Sequence, residues 1–407
     1  MTPDILDISI TLVIYFILIF QYRKLNKSLF LNPVSPILLV FSISIATVNY
    51  FYRIGDMNDN EYFTLMIQFF IYFIFLFITP WFVKNRYINL SNYMNITRFD
   101  IQIAKIIFYI SITIGLIYIF LLWWKYGSGD ERFILNRNMR ELMLFNSLFS
   151  IWALFLSSVI YSKTKQKKFL YYVVILILLS GFMGAKSTPV IGLLVFLFFY
   201  FQCNKINAKY LFIIGGIGIC LLILPTYFMY GNPLEKILTR IFWSADMYIW
   251  AFSIGDYKQF IDYYNPISYI LHPYSSLIGI RGYEYNFGAQ IIESANLSAN
   301  GMGPQDHMPM LGLIFYNNCF LCIMVFSIIF ASIMLFTILF VFYFFSKTNI
   351  SLSLRVMIFS LLYTTSFNMF LSVNIYSFNI IIAILGLSIY FIFYFLKKIS
   401  SIDKGNK

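Results

Sequence analysis

The chain has 407 residues, of which 60% are hydrophobic, 21% aromatic and only 11% charged. Soluble globular domains lie nearer half apolar and a quarter charged, so the composition excludes an ordinary soluble domain. The formal charge of +12 suits a nucleic-acid partner in principle. Its lysines and arginines, however, fall between apolar runs, as in the cytoplasmic loops of membrane proteins, and no nucleic-acid partner is expected.

Apolar stretches of about 18 or more residues recur, each long enough to span a bilayer. In chain order the pattern predicts an all-α, polytopic integral membrane protein with about eleven transmembrane helices. They fall near 5–22, 34–52, 62–83, 101–124, 142–162, 169–184, 188–202, 210–230, 314–345, 351–372 and 375–396. The opening MTPDILDISI has no basic n-region and no small-residue cleavage site, so the first run is expected to stay as a span. The seventh run is short, and the ninth is long enough to tilt or to begin outside the bilayer.

Charge predicts the orientation. Arg23, Lys24 and Lys27 follow span one, Lys84, Arg86 and Arg98 span three, and Lys163, Lys165, Lys167 and Lys168 span five. Lys205 and Lys209 follow span seven, Lys347 span nine, and Lys397, Lys398, Lys404 and Lys407 the last. Every second loop is thus basic and faces the cytoplasm. The alternate loops are acidic, as in RIGDMNDNE (53–61), or mixed, as in KYGSGDERFILNRNMRE (125–141). An odd number of spans puts the N-terminus outside and the C-terminus in the cytoplasm. Trp123 and Trp124 fit an outer aromatic belt.

Three parts follow: 1–230 with spans one to eight, a large external loop at 231–312, and 313–407 with spans nine to eleven and a cytoplasmic tail. The loop is rich in Tyr, Trp, Ile and Pro, and LEKILTRIFWSADMYIWAF (234–252) reads as a helix. Leu238, Ile241, Ala245, Tyr248 and Phe252 lie along one side of it, and it is expected to rest in the outer interface. Cys319 and Cys322 form a C-x-x-C within an apolar run with no second pair, and are expected to serve packing.

Candidate chemistry lies in the outer loops. In GFMGAKSTPVIG (181–192), Ser187 or Thr188 can cap a helix with Pro189 in its first turn, and Lys186 beside that N-terminus either completes an anion cradle or snorkels to water. Arg137 and Arg140, three apart, share a helical face, with Arg132 further back; they either fork onto phosphate oxygens or pair with Asp130, Glu131 and Glu141. The large loop carries Arg240, Asp246, Asp256, Asp262, His272, Arg281, Glu284, Glu293, Asp306 and His307. His307 sits just before span nine, so its ring is expected near the outer headgroup plane, where it is open to proton transfer or to a structural hydrogen bond. Two distant histidines without an outer cysteine argue against zinc. Cations for phosphate, and carboxylates and a histidine for acid–base work, together suit a substrate with its lipid tail in the bilayer and its polar head outside.

GAKST (184–188) and GPQDHMPMLGLIFYN (303–317), with the span number, the outsized loop in the second half and the Phe, Ile, Tyr and Asn-rich composition, resemble the O-antigen and capsular polysaccharide polymerases, the Wzy family, and the related O-antigen ligases. In the large loop the arginine- and glycine-rich character is confined to IRGYEYNFG (280–288). The resemblance implies a membrane glycosyltransferase of the bacterial inner membrane, working at its outer face on undecaprenyl-diphosphate-linked oligosaccharide for a surface polysaccharide such as lipopolysaccharide O-antigen or capsule. Arg281, Arg240, Lys186 and then Arg137 would hold the diphosphate; His307, or Asp306 or Glu284, would deprotonate the acceptor hydroxyl. No cofactor or metal is called for, since arginines supply the positive charge, and a chain-length-regulating co-polymerase is a possible partner beside membrane lipids. The alternatives are an O-antigen ligase and a transporter or flippase of the lipid-linked oligosaccharide. A glycosyltransferase using polyprenyl-monophosphate sugars, with metal-binding acids in GDMNDNE (55–61), and a membrane acyltransferase are further readings.

Overall fold

A computed structural model of the protein describes residues 5–23, 34–86, 90–126, 135, 139–183, 188–204, 216, 227, 245–254, 257–260, 265–277, 287–295, 306–316, 319–368, 370 and 373–405. Every regular element among them is helical. In chain order these are α1 (Ile5–Tyr22), α2 (Ser35–Ile54), α3 (Asp59–Arg86), α4 (Arg98–Tyr126), α5 (Arg140–Thr164), α6 (Lys167–Phe182) and α7 (Thr188–Cys203). Then come α8 (Asp246–Ile249), α9 (Pro266–Leu277), α10 (Phe287–Ser294), α11 (Met308–Tyr316), α12 (Phe320–Phe345), α13 (Leu352–Asn368) and α14 (Val373–Gly405). Short 3₁₀ turns lie at Leu90–Tyr93 and Tyr257–Phe260, and a π turn at Trp250–Ile254 continues α8.

Six helical stretches among the described residues are long and apolar enough to cross a membrane: Ile5–Tyr22, Ile37–Ile54, Asp59–Val83, Arg98–Lys125, Phe145–Thr164 and Phe320–Phe345. Gly192–Cys203, Leu352–Tyr363 and Asn379–Phe395 are shorter apolar helices. Phe16 and Phe20 of α1 and Leu321, Val325, Phe336 and Phe340 of α12 all stand exposed. Water does not tolerate such broad apolar faces, whereas lipid does. The 210–230 run lies outside the described residues except for 216 and 227.

The single long run expected at 314–345 is two helices. Cys319, between them, is extended at φ −126°, ψ 85° and caps α12 instead of sitting in its interior. The C-x-x-C expected to serve packing is closed as a disulfide, with 5.2 Å between the Cα atoms of Cys319 and Cys322. The cap position turns the Cys319 sulfur back over the first turn, where it also accepts the Cys322 N–H at 3.3 Å.

Local chemistry fixes the helix ends. Gly55, in the left-handed region at φ 85°, stops α2, and three residues later Asn58 and Glu61 cap α3 reciprocally: the Glu61 N–H donates to Asn58 Oδ1 at 2.9 Å and the Asn58 N–H to Glu61 Oε2 at 3.0 Å. Thr97 and Asp100 repeat the device at α4, where the Thr97 N–H and hydroxyl donate to Asp100 Oδ2 at 3.0 and 2.7 Å.

These ends gather into two sets. At one, Arg53 at the end of α2 pairs with Asp7 at the start of α1, 2.6 Å apart, and the Tyr257 hydroxyl donates to Glu61. At the other, Asp100 Oδ1 accepts the Ser353 N–H at 2.7 Å, Lys163 donates to the Ser91 carbonyl at 3.1 Å, and the buried Arg355 donates to the carbonyls of Tyr93, Phe345 and Ile350 at 2.9, 2.6 and 3.0 Å. Between the two ends, α3 packs along α12, α4 along α5, and α13 against both α12 and α14. The core they enclose is aromatic, with Phe41, Trp152, Phe199, Phe342 and Phe359 all buried.

Candidate functional site

The turn after α13 carries Phe370, whose ring lies 5.2 Å from that of Tyr72 on α3. At 1.5 Å per residue, Tyr72 is roughly 16 Å along α3 from its capped end at Glu61. The α13 helix therefore turns back at mid-height of α3, and two segments of the 231–312 excursion and its sequel fill the space beyond: 245–254 and 306–316.

The second segment is tightly held. The Met308 N–H donates to the Phe370 carbonyl at 2.9 Å. Gln68 of α3 donates from Nε2 to the Pro309 carbonyl at 2.8 Å and accepts the Ser327 hydroxyl of α12 at 3.2 Å. A Cβ at Gly312 would lie 2.2 Å from Gln68 Oε1, so a side chain there would push the Gln68 amide off its bonds to Pro309 and Ser327. Asp306, 1% exposed, receives the Gly288 N–H on Oδ1 at 2.8 Å and the Tyr269 hydroxyl on Oδ2. The Tyr269 oxygen in turn accepts the Phe287 N–H at 3.1 Å. One carboxylate thus ties α9 and the N-terminus of α10 to the start of α11, where the helix dipole of α10 favours it.

His307 follows directly and is fully buried. Its ring stands edge-on to that of Tyr248 at 5.1 Å and lies 6.0 Å from Phe370. Phe69 lies 5.8 Å from Tyr248, and Phe41 4.9 Å from Phe370. Among the described residues, neither His307 nitrogen, nor the hydroxyl of Tyr248 or Tyr72, has a hydrogen-bond partner. Each such buried group costs about 1–3 kcal/mol, so several in one cluster need a reason. Burial pushes the His307 imidazole down to about 3 and the Tyr248 phenol well above its usual range, with Tyr72 adding to the rise. The site therefore holds a neutral imidazole, one N–H and one lone pair, beside two neutral hydroxyls. Such groups match an uncharged hydroxyl better than an anion.

His307 was expected at the outer edge; it lies instead at mid-height of the bundle, because Met308 and Pro309 are bonded to Phe370 and Gln68 deep between α3 and α12. The helix expected to rest in the interface at 234–252 is described only from 245. There Ala245, Asp246, Met247, Tyr248 and Ile249 are all buried, so this stretch enters the bundle. The Ala245–Tyr248–Phe252 side expected from its periodicity does face protein, with Phe252 6.0 Å from Phe51 and 5.2 Å from Tyr257.

Arg281, Arg240, Lys186, Arg137, Arg132 and Glu284 lie outside the described residues. Arg140 begins α5 and His272 is on α9. In the acidic GDMNDNE, Glu61 is occupied as a helix cap, as acceptor of Tyr257 and as neighbour of Lys258, 3.4 Å away. Among the described residues no group of three His, Cys, Asp or Glu side chains gathers for a metal.

Sequence reasoning missed Tyr72, Gln68, Tyr269 and Phe370. A glutamine within the apolar 62–83 run was a usable signal for Gln68, since polar groups inside spans mark contacts or function. Tyr72 is one of 32 tyrosines and carried none. No family model, curated protein or solved structure matches the chain. The geometry of the His307 cluster is therefore the ground for a functional reading.

Proposed function

We propose that the protein is a glycosyltransferase that polymerises polyprenyl-diphosphate-linked oligosaccharide repeat units into a surface polysaccharide at the outer face of the bacterial plasma membrane. One observation carries the reading: a fully buried imidazole with both nitrogens unengaged among the described residues, near two phenol hydroxyls likewise unengaged, held between helices long and apolar enough to cross a membrane. In this reading the acceptor sugar's hydroxyl bonds to His307. The lipid diphosphate arrives with it, and that negative charge raises the imidazole's proton affinity as the hydroxyl proton is released. The proton passes to His307, the sugar oxygen forms the new glycosidic bond, and the lipid diphosphate leaves. Arg281, Arg240, Lys186 and Arg137 are the cations assigned to the departing diphosphate.

Asp306 has both oxygens engaged by Gly288 and Tyr269, which favours His307 as the base and makes Asp306 its positioning residue. The Arg355 end gathers Arg98, Lys163, Lys165, Lys167, Lys168 and Lys347 with the buried Asp100, whereas Asp7, Asp59, Glu61 and Asp306 lie toward the other with Arg53 and Lys258; by the positive-inside rule this imbalance supports a cytoplasmic Arg355 end and an exterior-facing His307 cluster. The finer topology of about eleven spans, with the N-terminus outside, belongs to the same proposal.

Deletion of the gene, followed by electrophoresis of surface glycans, tests it. A polymerase loss leaves glycans with a single repeat. Glycans lacking any attached repeat point to a ligase, and an unchanged length ladder sinks both.

A further inference from the structure

A groove of about 1030 Å³ runs between α12 and α14 with α13 as its floor. Leu354, Ile358 and Ala383 are its buried base, while Phe336 and Phe340 on one lip and Ile384 and Phe391 on the other stand exposed. It exists because α14 leans on α13 at Gly386, where a Cβ would lie 2.5 Å from Met357 Sδ and 3.0 Å from Leu148 Cδ1. That close approach leaves α14 apart from the bulky phenylalanines of α12. Since α12 is long and apolar enough to cross a membrane, its exposed apolar lip suits hydrocarbon and not water. The volume matches the upper end of ligand pockets, roughly 300–1,000 Å³.

The groove is apolar along its length and polar at one end. There Asn349 is exposed and the hydroxyls of Ser351 and Tyr390 are joined by a hydrogen bond. Two cations adjoin lining residues of that end in the chain: Arg98, exposed and next to Phe99, and Lys347, two residues before Asn349 with its ammonium 4.3 Å over the Tyr343 ring. Neither is within ion-pair distance of a carboxylate among the described residues. The nearest acidic residue in sequence to Arg98, Asp100, is fully buried and receives the N–H groups of Thr97 and Ser353.

We propose that this groove is a binding site for an anionic membrane phospholipid, with one acyl chain on the α13 floor and the phosphate headgroup between Arg98 and Lys347. The apolar trough selects an alkyl chain, the cations select a negative head, and the bilayer supplies both in one molecule. The site lies at the Arg355 end, away from the His307 cluster, and stands independently of the glycosyltransferase reading.

Native mass spectrometry of the purified full chain in detergent tests it with dioleoyl phosphatidylglycerol and dioleoyl phosphatidylcholine. Phosphatidylglycerol is expected to be retained at least tenfold better. The surface pair Arg98→Gln with Lys347→Gln brings it down to the phosphatidylcholine level, and Ala383→Phe, which fills the floor, removes both lipids from protein that still elutes as a sharp gel-filtration peak. Equal retention of the two lipids by the native chain, an undiminished preference in the glutamine pair, or displacement of phosphatidylglycerol by equimolar undecaprenyl phosphate overturns it. The glutamine pair lies at the surface, so its outcome does not depend on how Ala383→Phe folds.

Discussion

The imidazole of His307 meets the phenol of Tyr248 edge to face at 5.1 Å, and neither polar group has a hydrogen-bond partner among the described residues. Two side chains that water would solvate freely are thus kept dry against each other. This arrangement lowers stability unless an incoming hydroxyl completes it. Tyr248→Phe is therefore expected to keep or raise the thermal midpoint in detergent while lowering glycan extension several-fold. His307→Ala is expected to lower extension by on the order of 10²–10⁴ at unchanged expression. Full chain extension in both variants removes this pair from the site.

Acid stability follows from the same burial. His307 is held down to about 3 against about 6.5 in an unfolded chain. Between those values the unfolded chain binds a proton that the folded one does not, so stability falls as pH falls below about 6.5, by about 1.4 kcal/mol per pH unit for this one group. Thermal scans of the native chain and of His307→Phe across pH 7 to 4 check it. The native midpoint should drop more steeply, and parallel curves contradict the assignment.

Asp306 holds three elements with one carboxylate. Replacing it by alanine leaves the Gly288 N–H and the Tyr269 hydroxyl without their acceptor, a loss of about 2–4 kcal/mol. Hydrogen exchange should quicken at 287–294 and 308–316 together, because α10 and α11 share that anchor. Quickening at only one of them would show that the tie is not shared.

Sidedness is open to a direct check. Lys258 and Asn349 are both exposed at opposite ends of the bundle. In a variant with Cys203 and Cys220 replaced by serine, Lys258→Cys should react with a membrane-impermeant maleimide on intact cells, and Asn349→Cys only after permeabilisation. The reverse pattern puts the His307 cluster on the cytoplasmic side and ends the polymerase reading.

Much of the frame was legible in the residues. The apolar runs at 5–22, 34–52, 62–83, 101–124 and 142–162 became α1 to α5 because each is long enough to satisfy its own backbone in lipid. The capping pairs Asn58–Glu61 and Thr97–Asp100 act three residues apart, a spacing visible in sequence. The break at Cys319 had a signal that the length of the run outweighed: Asn317 and Asn318 interrupt the apolar residues just before it, and asparagine favours caps and turns over helix interiors. Gly312 shows its purpose only when Gln68 lies against it.

The sequence by itself determined that this chain is helical and apolar enough for a membrane, because hydrophobic length and composition are properties of contiguous residues. Only the tertiary structure decided that His307 lies at mid-height of the bundle beside Tyr248 and Phe370. Those partners are separated from it by 59 and 63 positions in the chain. They are brought together by the short reach of α13 and by the bonds of Met308 and Pro309 to Phe370 and Gln68, and such long-range contacts leave no periodic mark on the sequence.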